Sequence, residues 1–348
     1  MHRRCVCFPC NSFEVADWSK RCLLFAMERR CGEVVPVAIK SKDRVRIFRR
    51  KTYALLVRCG FILNRVFLYV SSEEDFESYS REFPDLNIRR APPGVIPTVN
   101  FIISSFAANS VYTHMNDDIG GLQKYHPRAG ACRDVRRVLP VLDDLLDKMN
   151  ETGATMAGFY PVVNARFMHE ELRRHGAYTS RLCTIMDPLV IVRNIPLTLG
   201  LTFKADWEKC ILHFSHGGLL RMNSVALRAD YCKAKGGIGQ SRSSETEQKD
   251  AAYFWRHYPS FVFKPTFRKN GTCKLRLRSL TERPRVALRS RAAVATLAAT
   301  NLRRCDARSL PWCPRPECTG RGKAIKRKGA DRYLCKCCGR SFILRGAR

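Results

Sequence analysis

The chain has 348 residues, 45% of them hydrophobic, which is enough for one large α/β domain with appendages or for two domains. It carries 62 Lys and Arg against 31 Asp and Glu, so a polyanionic partner such as DNA is expected. No stretch reaches the roughly 18 apolar residues of a membrane span, and no apolar run near the N-terminus is long enough for a signal peptide. We therefore expect an intracellular protein (nuclear in a eukaryote) with no membrane partner. No oligomeric state is predicted.

Strands and helices are predicted to alternate after a cysteine-containing N-terminal extension at residues 1–33. The first half has predicted strands at 34–39, 65–70 and 111–116. It has predicted helices at 52–59 and 99–107, and another that is capped by residues 71–75 and ends at about residue 82. The second half has predicted helices within 135–149, at 204–214 and at 245–257, a turn at 158–161, a strand at 189–192, and a basic strand pair at 262–268 and 274–278. This alternation is typical of βαβ units and predicts an α/β domain over residues 34–282, with a mixed, mainly parallel sheet flanked by helices.

An acidic pair, Asp117 and Asp118, directly follows the predicted strand at 111–116. Adjacent carboxylates repel each other and remain ionised most easily beside water or a divalent cation. Mg²⁺ and Mn²⁺ prefer such oxygen ligands. The loop after the first strand contains Ser41 and Arg44, and in a parallel sheet both loops lie at the same edge. This edge could therefore bind a metal and a nucleotide diphosphate, although a simple turn after a strand is an alternative.

The chain resembles the GT-A fold of nucleotide-sugar glycosyltransferases at this edge. The motifs between residues 34 and 278 are similar in order to the TET-associated glycosyltransferase family, and they include VPVAIKSKDR, RVFLYVSSEEDFESY, PPGVIPTVNFI, VYTHMNDDIGG, GFYPVVNARFM and GGIGQSRSSETEQKD. This resemblance implies a GT-A-like domain, and a hexosyltransferase that moves a sugar from a UDP-sugar to a hydroxymethylated pyrimidine in DNA, as in base J.

The resemblance also implies roles for individual residues. Asp118 would bind Mn²⁺ or Mg²⁺, and the donor would be bound by Ser41, Arg44, Asn100, Asn116 and Asp117. The chain departs from the family at Asn116, where the family tends to have Asp. Asn116 can still form hydrogen bonds, but it would weaken a metal site that needs a carboxylate at that position.

A catalytic base would have to accept the proton of the acceptor hydroxyl group. Asp206, at the start of a predicted helix, is the candidate, and its alternative role is a helix-start charge stabilised by the helix dipole. Glu247 is the rival, together with Glu245 and Asp250, and their alternative is a solvated helix face.

The C-terminal region predicts a zinc site. Cys313 and Cys318 form one pair, Cys335 and Cys338 form another, and this spacing matches the four-cysteine structural site of a zinc ribbon. We expect a basic linker at 283–310 and the ribbon at 311–348. Together they carry 18 Lys and Arg against three Asp and Glu, which favours DNA binding.

Two other functions are compatible with the sequence. One is a non-catalytic nucleic-acid-binding protein whose transferase domain has decayed, as Asn116 would indicate. The other is a glycosyltransferase that acts on protein or glycan.

Overall fold

The computed structural model describes residues 35–185, 188–201, 204–229, 243–267 and 273–284, and the backbone of three further strands in the C-terminal region. The predicted N-terminal extension, most of the linker, and Cys313, Cys318 and Cys338 lie outside the described residues. In the described part, no helix is long and apolar enough to cross a membrane.

One sheet of ten strands organises the domain. Its strands are β1 (Val37–Lys40), β2 (Val66–Val70), β3 (Asn87–Arg90), β4 (Val111–Asn116), β5 (Ile119–His126), β6 (Ala131–Asp134), β7 (Met156–Tyr160), β8 (Tyr178–Thr179), β9 (Leu189–Arg193) and β10 (Leu219–Ala229). Their spatial order is β3-β2-β1-β4-β9-β7-β10-β5-β6, and β8 pairs with β10. Along this path only β9 and β5 run against the direction of the other seven strands, so the predicted mixed, mainly parallel sheet is confirmed.

The helices of the described part pack on both faces of this sheet. They are α1 (Val45–Phe48), α2 (Ala54–Cys59), α3 (Glu73–Glu82), α4 (Val95–Ser105), α5 (Leu139–Thr152), α6 (Ala165–His175), α7 (Ala205–His216) and α8 (Ser244–His257). A π-helical turn, Arg49–Tyr53, joins α1 to α2, so this helical segment begins before the predicted residue 52. It ends as predicted at Gly60, whose φ of 76° is in the left-handed region that glycine adopts most easily.

Two hydrophobic clusters lie on opposite faces of the sheet because successive strand residues point to opposite sides. Val37 and Ile39 of β1 belong to one cluster, whereas Ala38 between them belongs to the other. The first cluster includes residues of α2, α3 and α5, and the second includes residues of α4, α7 and α8. The domain therefore has three layers, with helices on each side of the sheet.

Several predicted elements differ from the structure. Gly158 and Tyr160 were expected in a turn but lie in the buried strand β7. A side chain at Gly158 would overlap Ile185, so packing against Ile185 requires this glycine. Strands β5, β6 and β10 were not predicted. In β10 the alternating pattern is hidden by the buried polar residues Arg221 and Asn223, whose partners lie in other elements.

The basic strand pair is shorter than predicted. It consists of β11 (Thr266–Phe267) and β12 (Cys273–Lys274), which are antiparallel, and a bridge between Val262 and Leu277 extends the pairing. The three C-terminal strands are β13 (Gly322–Ile325), β14 (Arg332–Cys335) and β15 (Ser341–Ile343), and they form an antiparallel sheet.

The N-terminal cap of α3 offers a direct test of local stability. Ser72 Oγ accepts a hydrogen bond of 3.1 Å from the backbone N–H of Asp75, as the sequence at 71–75 predicted. Ser72→Ala should lower the free energy of unfolding by about 1 kcal/mol in urea denaturation. Ser78→Ala on the exposed face of the same helix is the control, and it should leave stability unchanged or slightly increased because alanine favours helices. Equal effects of the two changes would contradict the cap.

Candidate functional site

The loops after β1 and β4 meet at the point where the strand order reverses. The strands β3, β2 and β1 follow one another in one direction across the sheet, and β4 continues on the other side of β1. Lys40 and Asn116, the last residues of β1 and β4, are register partners. In open α/β sheets, the crevice at the carboxyl ends of such strands is where ligands bind. The predicted juxtaposition of the two loops is therefore present.

Ser41 links the two loops to α3. Its hydroxyl group donates a hydrogen bond of 2.5 Å to Asp117 Oδ2 and lies 2.6 Å from the hydroxyl oxygen of Tyr79. Because the single proton of Ser41 goes to the carboxylate, Tyr79 must donate to Ser41. Burial raises the pKa of Tyr79, which keeps this phenol protonated as a donor.

Arg44 pairs with both aspartates. Its Nη1 atom lies 3.2 Å from Asp117 Oδ1 and 3.4 Å from Asp118 Oδ2, and the three side chains are 10%, 7% and 3% exposed, respectively. Burial and the negative charge of Asp117 raise the pKa of Asp118, while the Arg44 guanidinium acts in the opposite direction. We call Ser41, Arg44, Asp117 and Asp118 the carboxylate cluster.

Thr52 holds the turn that carries the two aspartates. This fully buried residue of the π-helical turn donates from Oγ1 to the Asn116 carbonyl at 2.8 Å and accepts from the Ile119 N–H at 2.9 Å. Both backbone groups that flank Asp117 and Asp118 are thereby fixed to one side chain. The sequence had no signal for Thr52, because its partners are more than 60 residues away.

Lys40 forms a second group beside the cluster. It donates to Asn116 Oδ1 at 3.1 Å and lies 3.0 Å from Nε2 of the buried His114. Because an ammonium group only donates, His114 Nε2 is the acceptor and its proton lies on Nδ1. The oxygen of Asn116 is thus turned to a lysine, and the Asn116 side chain is not arranged as a metal ligand.

The carboxylate cluster fits a divalent cation as a partial ligand set. Three of the four carboxylate oxygens of Asp117 and Asp118 bind Ser41 or Arg44, whereas the buried Asp118 Oδ1 has no hydrogen-bond partner in the described part of the chain. No group of three or more His, Cys, Asp or Glu residues in that part could hold a metal. Mg²⁺ is commonly held by one or two carboxylates, with water and substrate phosphate oxygens as its other ligands, and Asp118 with Asp117 suits that mode.

Asn100 holds the chain segment that follows β9. It is buried in α4, where its Nδ2 donates to the Leu199 carbonyl at 3.0 Å and its Oδ1 accepts from the Leu199 N–H at 2.9 Å. Both ends of the amide thus have a structural partner, and a contact of Asn100 with the donor stays a prediction.

Asp206 lies in the first turn of α7 and is half-buried. The C-terminal end of α7 lies at the amino edge of the sheet, where Gly218 O accepts from the N–H of Thr155, just before β7. The role of Asp206 as the catalytic base stays a prediction.

The rival carboxylates on α8 separate into different environments. Glu245 is exposed and forms an ion pair of 2.7 Å with Lys249, which matches the solvated helix face given as its alternative. Glu247 is buried. Burial raises the pKa of the Cys273 thiol; the Lys204 charge lowers it and the Glu247 charge raises it. Asp250 is half-buried.

Glu208 is a buried carboxylate that the sequence analysis did not identify. Glu208 accepts from the backbone N–H groups of Gly200 and Leu201 at 2.8 and 3.1 Å and from the Tyr258 hydroxyl at 2.8 Å. These three donors satisfy the charge, so Glu208 joins α7 to α8 and to the chain after β9.

Comparisons with known proteins give only weak similarities. No protein-family model matches the sequence, and no curated protein matches it. Among solved structures, the mannosyltransferase from Pyrobaculum calidifontis with GDP-Man and Mn²⁺ is 10% identical, with 69% of this chain and 73% of that chain covered and a TM-score of 0.41. Glucosyl-3-phosphoglycerate synthase from Mycobacterium tuberculosis with UDP is 12% identical, with 80% and 96% covered and a TM-score of 0.43. S. aureus TarS (1–349) is 11% identical, with 65% and 72% covered and a TM-score of 0.38. At these TM-scores the function of this chain has to be argued from its own residues.

Thr52 bridges the Asn116 carbonyl and the Ile119 N–H on either side of Asp117 and Asp118, and the contribution of this bridge to stability can be tested. Thr52→Val keeps the shape of the side chain but leaves the Asn116 carbonyl and the Ile119 N–H without their partner, which should cost about 1–3 kcal/mol in unfolding free energy. Thr152→Val, at the exposed end of α5, should change it by less than about 0.5 kcal/mol. Urea denaturation measures both. A Thr52→Val protein as stable as the wild type would show that the bridge does not hold the turn.

Proposed function

We propose that the chain is a nucleotide-sugar glycosyltransferase that moves a sugar from a UDP-sugar to a hydroxymethylated pyrimidine in DNA. The observation that supports it most is the carboxylate cluster at the switch point of the sheet. It combines a cation, Arg44, that can contact a diphosphate with a buried carboxylate oxygen, Asp118 Oδ1, that can bind Mn²⁺ or Mg²⁺. Such a metal, when bound, would neutralise the diphosphate and help UDP to leave.

The chain's own residues have separate roles in this proposal. Arg44 binds the diphosphate, Ser41 and Asp117 hold Arg44 in place, and Lys40 with Asn116 lies beside them. Asp206 accepts the proton of the acceptor hydroxyl group while that oxygen attacks the anomeric carbon. A bond forms between the acceptor oxygen and the sugar, the bond from the sugar to the diphosphate breaks, and UDP leaves with the electron pair.

The net positive charge of the chain is the reason for proposing DNA as the acceptor. The formal net charge of +31 and the concentration of Lys and Arg after residue 283 favour a polyanion over a protein or glycan. A nucleobase that reacts at its hydroxymethyl group must leave the base stack of the duplex, which costs free energy. Binding of the DNA by Lys and Arg around that nucleobase would help to offset this cost. Nuclear localisation in a eukaryote is part of the same proposal.

The reaction can be tested with labelled UDP-sugars, Mn²⁺ and DNA that contains hydroxymethylpyrimidines. Asp118→Asn should abolish metal-dependent donor binding and transfer, because it removes the charge that would hold the metal. Asp206→Asn should keep donor binding but lower turnover by at least about 100-fold, because it removes a proton acceptor. Asp85→Asn, an exposed turn residue hydrogen-bonded to Tyr53, should transfer like the wild type.

The outcomes separate the possible functions. Transfer to DNA by the wild type with an Asp206→Asn rate within a few-fold of it would exclude Asp206 and direct the search to Glu247. Transfer to protein or glycan instead of DNA would replace the proposed acceptor. DNA binding without any transfer would favour the decayed domain, in which Asn116 pairs with Lys40 in place of a working metal site.

We also propose a structural zinc site formed by Cys313, Cys318, Cys335 and Cys338. The spacing of the two pairs supports it, and Cys335 is the last residue of β14 in the three-stranded C-terminal sheet. Four cysteines would leave no coordination position open for catalysis.

The zinc proposal predicts about one zinc per chain by elemental analysis of protein purified without chelator. Cys335→Ser should lose that zinc, because it removes one of four ligands. Cys337→Ser, two residues away and outside the proposed ligand set, is the matched control and should retain it. Equal zinc in the two variants, or none in the wild type, would contradict the site.

A further inference from the structure

An unusual stretch lies at the end of the described domain. Residues 251–281 contain seven aromatic residues and seven Lys and Arg, and no Asp or Glu. They cover the second half of α8, the strands β11 and β12 and the chain between these elements. Part of the aromatic set is core, since Phe254, Tyr258 and Phe261 are buried. Tyr253 is half-buried against the same core, whereas the other three rings are on the surface.

Three rings of this stretch are exposed. Trp255 is 37% exposed, Phe263 is 41% exposed and Phe267 is 51% exposed. Each lies near a cation in space or in sequence. Lys264 Nζ is 5.7 Å from the centre of the Trp255 ring, and the guanidinium carbons of Arg276 and Arg278 are 5.3 and 4.6 Å from the centre of the Phe263 ring. We call these six residues the aromatic–basic surface.

We propose that the aromatic–basic surface binds single-stranded nucleic acid, with the exposed rings stacking on unpaired bases and Lys264, Arg276 and Arg278 contacting the phosphates. Rings that offer a π-face beside a positively charged groove are the features by which proteins hold single strands without reading their sequence. A duplex hides the faces of its bases, so the rings should discriminate between single and double strands. The residues of this surface precede the basic region after residue 283 in the sequence, and the proposed binding needs no sugar donor.

Charge complementarity favours nucleic acid over a lipid surface. A membrane-binding face usually buries aliphatic side chains together with its aromatic ones. In the described part of the chain, the exposed large aliphatic residues, Val57, Ile62, Val162 and Val163, belong to other segments. All three exposed hydrophobic side chains of residues 251–281 are aromatic, which suits base stacking.

The experiment measures binding of the full chain to a fluorescein-labelled 20-mer of thymidine, and to the same strand paired with its complement, by fluorescence anisotropy at several salt concentrations. Trp255→Ala/Phe267→Ala should weaken single-strand binding by about 10-fold or more, since each stacked base contributes on the order of 1–3 kcal/mol. The duplex affinity and the salt slope should stay unchanged, because no phosphate contact is removed. Phe167→Ala, an equally exposed ring on α6, is the control and should bind like the wild type.

A second double variant tests the basic residues of the aromatic–basic surface. Lys264→Gln/Arg276→Gln should weaken binding to both probes and reduce the single-strand salt slope by about 1.4, because two phosphate contacts are lost. Lys148→Gln, an exposed residue of α5, should leave the slope unchanged. Trp255→Leu/Phe267→Leu keeps apolar volume without a π-face, so it should lose single-strand affinity like the alanine variant even if the alanine variant folds poorly.

Wild-type affinity of the leucine variant for the thymidine strand would overturn the proposal, and so would an equal loss in Phe167→Ala. Loss of binding to anionic phospholipid vesicles, with thymidine binding intact, would assign the surface to a membrane. Asp118→Asn should bind the thymidine strand normally, so a failed transferase and a failed binding surface are distinguishable.

Discussion

The architecture of the sheet edge depends on two adjacent buried carboxylates, Asp117 and Asp118, which share one guanidinium group. Both side chains are almost without water, and burial together with the negative charge of Asp117 raises the pKa of Asp118, so the charge of Asp118 requires a compensating cation. Arg44 provides that charge and stands immediately before α1. The loop after β1 is therefore tied to the turn after β4, and the helical segment that follows Arg44 supplies Thr52 to the same turn.

The position of Arg44 has a consequence for the proposed chemistry. Arg44 uses one carboxylate oxygen of each aspartate, while Asp118 Oδ1 is left for another ligand. A divalent cation bound there would compensate the same charges, so the carboxylates would need Arg44 less. The guanidinium would then be available to a diphosphate, whose oxygens it can bind through two parallel hydrogen bonds. Under the proposed function, metal and donor binding should thus favour each other.

The sequence predicted the parts of this site that strand ends define. Asp117, Asp118, Ser41 and Arg44 follow strands that hydrophobic patterning could identify, and parallel pairing alone places them at one edge. Tyr79 could not be predicted from the sequence, because its contact with Ser41 joins residues 38 positions apart and depends on how α3 packs. The pairing of Lys40 with His114 could not be predicted either, because a lysine and a histidine on two predicted strands each have many possible partners.

The strands that the sequence analysis missed share a physical cause. Their unusual residues are explained by contacts with residues distant in the chain, which the local sequence pattern does not show. Gly158 suggests a turn, but it serves to bring β7 close to Ile185. Arg221 breaks the apolar pattern of β10, yet it is buried because Glu171 neutralises it at 2.8 Å. The amide of Asn100 satisfies both backbone groups of Leu199, a contact that the sequence did not indicate. In each position the residue type fits a partner that is distant in sequence.

The aromatic–basic surface is built on α8 and on the chain that follows it. Trp255 lies on α8, Phe267 lies on β11, and its paired strand β12 contacts α8, so we call β11 and β12 the hairpin of this surface. A strand held by the exposed rings of that hairpin would already have its bases unstacked, which is the state a base must reach before its substituent can react. The cost of unstacking would then be met by binding at the hairpin instead of at the carboxylate cluster. Under the proposed function, the cluster would then need only to hold the donor, whose diphosphate charge Arg44 can compensate.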